Sequence, residues 1–298
     1  DRFIKSNRIH EIGCFDSDGG KMTHFSNNVP YIERDFNGYY KDNQNFFLSK
    51  KEVDKGDEIL KEIGVEKDKK VVCIYARDAA YLNQVYSDND WSRHNYRNFD
   101  IENFNDTISY LIDRDYFVIR AGSLAEKKSK LINKNFLDYP FSDIQSDFFD
   151  IYIANRCNFL ISTSSGIDDI FQAFRKPILW PLLFPIKDIK SSCHYHMAGF
   201  RHLENKNKRK LTFKEILDQG LEYCYKSSLL EKNNLYLSKP NTIDLMETTK
   251  DMIDYLNNRY ELNEREKYLK ERFFKIFENS SHFCEKQRFH KKINFQVS

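Results

Sequence analysis

Ser162, Thr163, Ser164, Ser165 and Gly166 follow directly on the apolar run Asn158–Ile161. The run reads as a buried strand and residues 166–174 read as a helix. A strand that ends in small hydroxyl residues and opens a helix gathers free N–H groups and a positive dipole end, the makings of a phosphate site. Gly166 would let a ligand approach the backbone, and the hydroxyls of Ser164 and Ser165 would add hydrogen bonds. An ordinary capped strand–helix turn carries the same signature, because Ser and Thr are preferred caps.

A second group is cationic. Arg77 and Asp78 close the apolar run Lys70–Ala76. A charged pair at a strand's carboxyl end either faces a ligand crevice or forms a local salt bridge. Arg93, His94 and Arg97 crowd one loop ahead of a helix start at Asn98 and Asp100. Guanidinium groups suit bidentate phosphate recognition, and a histidine suits phosphate binding or proton transfer. A solvated loop is the plain alternative. Arg120 ends the apolar stretch Phe117–Ile119 and needs an anion, either a ligand phosphate or one of Asp78, Asp138 and Asp147. Of these the ligand is favoured.

Two residues compete to be a proton acceptor. A carboxylate beside Arg77 stays ionised at neutral pH, which favours Asp78. The same arginine lowers its basicity, which argues for His94. No metal is expected. His194, His196 and His202 lack ligand spacing, and no Asp-x-Asp pair sits at a predicted strand end. GxSxG, HExxH, Walker A and GxGxxG motifs are absent.

The elements that must position these residues alternate. Ser49 and Glu52 form a capping box for a helix running to about Ile63 and stopping at Gly64. Strand Lys70–Ala76, a long polar loop to Asn98 and a helix from Asp100 through Asp113 follow. Next come strand Tyr116–Ala121, a short helix Ala125–Ile132, an edge-like strand Phe136–Asp138, a helix at Ser146–Ala154 and the strand before Ser162. Ile178–Leu183 is one more buried strand. Strand–helix alternation predicts an α/β fold with a parallel sheet and right-handed crossovers, whose ligands bind at the carboxyl ends of the strands. Arg8–Phe15 reads as a strand among loops. The chain is irregular after Pro185. Thr212 and Glu215 form a second capping box, and helices are expected from Asn241 to about Tyr260 and from Glu261 to Phe277. The basic residues 286–298 read as a frayed tail.

Composition bounds the classes. The chain has 298 residues, 40% hydrophobic and 15% aromatic, enough for one large domain or two smaller ones. A formal charge of +2 argues against a dedicated nucleic-acid binder. Six cysteines without CxxC spacing suggest neither zinc nor a redox pair, and point to a reducing cytoplasm. No apolar stretch approaches the ~20 residues of a membrane span.

The order of the pieces resembles a family of bacterial glycosyltransferases associated with surface-polysaccharide synthesis. The matching residues are Val71–Tyr81, His94–Asn98 with Asp100–Glu102, Tyr110–Ile112 followed by Tyr116–Gly122, Ser146–Asp150, Ser164–Gly166 and Lys176–Pro177. The resemblance covers roughly residues 46–220 and implies a Rossmann-like donor half of a glycosyltransferase-B enzyme, distantly fucosyltransferase-like. It implies a nucleotide-diphosphate sugar as donor, a glycan or lipid-linked acceptor, no nucleic acid, no cofactor and no essential metal. The enzyme would work in the cytoplasm, in peripheral contact with the inner membrane surface. Arg77, Arg97, Arg120 and the Ser164–Gly166 turn would meet the diphosphate, Asp147 would line the substrate site, and Asp78 or His94 would lie near the reacting sugar. On this division residues 1–68 are an N-terminal segment, 69–260 the nucleotide-sugar domain, and 261–298 a C-terminal helix with a basic tail. The chain begins at Asp1 rather than Met, and a full acceptor domain is expected upstream or reduced to 1–68. A nucleotide-sugar epimerase and a non-catalytic sugar-nucleotide or glycan-binding module are the rivals.

Overall fold

A computed structural model describes residues 46–186, 196–224, 226–278 and 294–296. The Arg8–Phe15 strand and His194 lie outside them.

The core is a parallel sheet. Its strands are β1 (Lys70–Tyr75), β2 (Tyr116–Arg120), β3 (Phe136–Asp138), β4 (Phe159–Ser162), β5 (Ile178–Leu183) and β6 (Met197–Phe200), in the order β3-β2-β1-β4-β5-β6. This is the order of a Rossmann-type sheet. The chain runs outward from β1 to β3, then returns to β4 on the other side of β1. The strand order therefore reverses between β1 and β4, whose register pairs Val72 with Phe159 and Tyr75 with Ser162. In sheets of this order ligands bind outside the carboxyl ends of the strands at the reversal.

Helices cover both faces. The strands read as near-continuous apolar runs because neither face meets water. On one face Val71, Cys73, Phe117 and Ile119 pack with Leu60 of α1 (Lys50–Glu62), Phe149 and Tyr152 of α4 (Asp147–Arg156), and Phe171 of α5 (Asp168–Ala173). On the other, Val72, Ile74 and Val118 pack with Ile108 and Leu111 of α3 (Asn105–Ile112), and with Leu245 and Met252 of α8 (Thr242–Leu256). Strand alternation sends successive side chains to opposite faces and so fills two cores from one strand.

Local signals act as read. Both capping boxes form, Ser49 with Glu52 and Thr212 with Glu215, the latter heading α6 (Phe213–Asp218). Gly64 takes φ +83° where α1 stops. The C-terminal helix α9 (Glu264–Glu278) places Phe273 against Phe200 and Phe213.

Three expectations are corrected. Residues 125–132 form no helix; their backbone is held by acids from elsewhere, Asp78, Glu102 and Asp138. The polar loop to Asn98 contains the short helix α2 (Ala80–Val85) and a 3-10 turn at Ser92–Arg97. The irregular region after Pro185 holds β6 and an antiparallel pair, β7 (Leu203–Asn205) and β8 (Leu235–Leu237), with α7 (Ser227–Lys232) before β8. Within the tail, β9 (Asn294–Gln296) extends the sheet beyond β6, also in parallel. Pairing with a distant strand overrides local composition at β6, β7, β8 and β9.

Helix α1 docks on α4 through a missing side chain. A Cβ at Gly56 would lie 2.1 Å from Cδ2 of Tyr152, whose hydroxyl donates to Asp57 at 2.5 Å. Gly56→Ala should therefore lower stability by about 1–3 kcal/mol, against the gain of helix propensity expected at an open site. A urea midpoint at or above that of the wild type would show that the ring moves aside freely.

Candidate functional site

Hydrogen bonds across the reversal between β1 and β4 fix the floor of the crevice. Thr163 N–H donates to Tyr75 O at 3.1 Å, and Arg77 N–H donates to Thr163 Oγ1 at 2.9 Å. Tyr75 adds a side-chain hydrogen bond with Ser165, and burial pushes its phenol upward. Its ring lies against Gly122, where φ is +107° and a Cβ would sit 2.9 Å from the ring.

The Arg77 side chain is 4% exposed and builds the wall. Its guanidinium donates to His94 O at 3.2 Å and to Asn98 Oδ1, while Phe99 N–H donates back to Arg77 O at 2.8 Å. The 92–97 turn is thereby strapped to β1. Arg201, just after β6, holds it from another side, donating to Tyr96 O at 3.3 Å and to Ser238 O at 2.9 Å. Ser227 of α7 closes the third side, accepting from Tyr96 N–H at 3.2 Å. A small cavity opens between these supports, lined by Tyr96, Arg97, Thr163, Phe184 and Arg201.

The site is cationic, with Asp78 and Asp90 acting on Arg77 and Arg93 only from beyond contact distance. Among the described residues Arg77, Arg93, Arg97 and Arg201 have carbonyl, amide and imidazole partners but no carboxylate in hydrogen-bond or salt-bridge contact. Nε of Arg97 is buried with no hydrogen-bond partner. Burial, then the Arg97 charge, lower the Arg77 guanidinium from its ordinary value. His94 lies inside this cluster. Its ring nitrogens are 3.3 Å from Arg93 Nε and 3.2 Å from an Arg97 terminal nitrogen. Burial first, then Arg97, Arg93 and Arg77, lower its pKa to about 4, so it is neutral at pH 7. A neutral imidazole has one N–H and one acceptor nitrogen, so one of the two contacts sets N–H against N–H.

The other predicted residues divide. Arg120 is 2% exposed and far from wanting a ligand: it donates to Asp138 at 3.1 Å and to Lys127 O at 2.8 Å, and pairs with Asp78 at 3.7 Å. The favoured ligand partner is thus replaced by two of the acids named with it. Arg77 and Arg120 share none of these hydrogen-bond partners. Asp78 is similarly engaged. One carboxylate oxygen accepts from Ala80 N–H at 3.0 Å and heads α2; the other accepts from Glu126 N–H at 2.9 Å and faces Arg120. Asp147 lies exposed in the first turn of α4.

The serine turn already contains an anion. Asp168 is fully buried and accepts from Ser162 Oγ at 2.6 Å, Trp180 Nε1 at 2.7 Å and Ser165 N–H at 3.3 Å. Ser164 adopts φ +68°, unusual for a residue with a side chain, and its N–H is taken by Ser162 Oγ at 3.1 Å. The carboxylate of Asp168 thus takes up part of the donor set that sequence assigned to phosphate. Gly166 remains exposed, with open space where a Cβ would be. Thr163 belongs to the turn singled out from sequence; Tyr75, Asp168 and Arg201 were not singled out, and of these only Asp168, in the first turn of α5, carried a local capping signal.

His196 is buried, and its Nδ1 accepts from Ile178 N–H at 3.1 Å. Among the described residues no group of three His, Cys, Asp or Glu side chains is placed to hold a metal, and no helix is long and apolar enough to cross a membrane. No family model, no curated protein and no solved structure matches the chain.

Two measurements probe these networks. Asp168→Ala leaves several buried donors unsatisfied and should cost about 3 kcal/mol of stability; unchanged denaturant midpoints would place the anchor of the turn elsewhere. His94 binds protons less well folded than unfolded, where its pKa is about 6.5. Its contribution to stability is therefore present above about 6.5 and lost as pH falls toward about 4. His94→Gln should lose less stability than wild type between pH 7 and pH 4.5, and parallel pH profiles would contradict the depressed value.

Proposed function

We propose that this crevice binds the diphosphate of a nucleotide sugar and that the chain is a metal-independent glycosyltransferase with a glycosyltransferase-B-type donor domain. Its acceptor would be a glycan or lipid-linked chain reached at the cytoplasmic membrane surface. The observation that carries the reading is the arginine cluster at the strand reversal, with Arg97 Nε buried and unpartnered. Guanidinium groups gathered on one cavity suit an anion with several oxygens. The transfer of a sugar rests on the sequence resemblance.

In this reading Arg97 and Arg93 meet the diphosphate, while Arg77 and Arg201 hold the loop that carries them. Charge that develops on the leaving diphosphate is met by fixed cations in place of a metal. The anomeric C–O bond to the diphosphate breaks, a bond to the acceptor oxygen forms, and the acceptor proton passes to a base. His94 suits that step better than Asp78, whose two oxygens already serve the fold. Burial first, and then three guanidinium charges, depress His94 in the free protein, and the diphosphate acts on the second cause. A bound diphosphate neutralises them and raises its basicity, so that the base is armed only with donor in place.

Donor affinity and turnover, measured together across a panel of nucleotide sugars, test this. His94→Gln should lose about 100-fold or more in turnover while keeping donor affinity within a few-fold. Asp78→Asn should lower the melting temperature as well, because it loosens α2 and the 124–131 loop. Donor binding without turnover by the wild type would favour the binding-module reading, and normal turnover by His94→Gln would remove it as the base.

A further inference from the structure

His94 ends a ladder of aromatic rings that leads out of the crevice. Trp91 stacks on His94 with centroids 6.0 Å apart and planes 17° apart. Tyr86 meets Trp91 edge-on at 6.1 Å, and Tyr81 meets Tyr86 at 6.4 Å. The indole N–H donates to Tyr86 O at 2.9 Å, which fixes the two rings relative to each other. The Arg93 guanidinium lies 5.2 Å from the Trp91 ring centre while its Nε reaches His94. One side chain thus joins the ladder to the cationic cluster.

The ladder does not serve the core. Helix α2, which carries Tyr81, buries none of its residues. Tyr81 and Tyr86 are 44% and 50% exposed. Exposed tyrosine rings, ordered against a half-buried indole and continuous with arginines that touch no carboxylate, describe a surface suited to a ligand with both a flat π-face and several negative charges.

We infer that Tyr86 and Trp91 are the nucleobase platform of the site, with the phosphates lying inward on Arg93 and Arg97. This rests on the anion reading of the crevice given above. A neutral glycan would use the rings and leave the arginines unanswered. An inorganic anion would do the reverse. A nucleotide satisfies both, because the base stacks on an aromatic face while the phosphates meet guanidinium groups. Stacking of this kind tolerates any base, since every base has a π-face.

Titration calorimetry on the full chain tests it, with ADP, GDP, CDP and UDP as probes and pyrophosphate as the control without a base. The wild type should bind at least one nucleoside diphosphate about 5- to 150-fold more tightly than pyrophosphate. Tyr86→Ala should erase most of that advantage, Tyr86→Phe should keep it, and pyrophosphate affinity should be the same in all three. Trp91 fluorescence should quench on nucleotide binding and not on pyrophosphate, and Trp91→Phe should abolish the quench and leave only the constant signal of buried Trp180. Equal nucleotide affinity in wild type and Tyr86→Ala overturns the platform and leaves the anion site standing. Binding of neither nucleotide nor pyrophosphate overturns the anion site and the platform with it. Tighter binding of a short single-stranded oligonucleotide than of any mononucleotide would assign the ladder to nucleic acid instead.

Discussion

Arg77 carries a full charge at the buried end of β1 and meets it with oxygen dipoles instead of a carboxylate. Everything on this side of the crevice follows from that choice. The acceptors it requires are His94 O and Asn98 Oδ1, so the 92–97 turn has to fold down over the strand end. The turn brings Arg97 and His94 within reach of the cavity. Had a carboxylate neutralised Arg77, the loop would lose its reason to be there, and the local field that keeps His94 neutral would fall. An uncompensated guanidinium is costly to bury, and such costs are retained where a ligand supplies the missing charge.

On either side of this cluster the charges are answered internally. Arg120 sits between Asp138 and Asp78, and Asp168 collects hydrogen bonds from β4, the serine turn and β5. These are fixed parts of the frame, with little freedom to change partners. The contrast is what locates the candidate site. Two networks close on themselves, and between them lies a third whose arginines, among the described residues, touch no carboxylate directly. The reversal of strand order between β1 and β4 is where backbone topology alone would place a crevice, and the open network sits at that reversal.

His94 shows how position sets chemistry. An imidazole between arginine side chains is a poor proton acceptor in the free protein, since protonation would add a fourth charge to three.

The sequence by itself determined the alternating α/β architecture, because strands buried on both faces must be apolar throughout and the caps at Ser49 and Thr212 act within one turn of chain. That Arg77, His94 and Arg97 cluster was legible because they lie close in sequence, on one strand end and the loop that leaves it. The tertiary structure decided everything that depends on residues distant in the chain. Arg120 and the serine turn had the right residue types for phosphate, yet Asp138 and Asp168 reach them first. The helix expected at residues 125–132 gave way to acids from three other segments. Strand β6, which carries Arg201 into the site, has no local pattern strong enough to announce it and exists because β5 presents an unpaired edge. A charged group's partner is whichever opposite charge the fold brings within hydrogen-bond distance, and that distance is set by topology, which spacing along a chain does not encode.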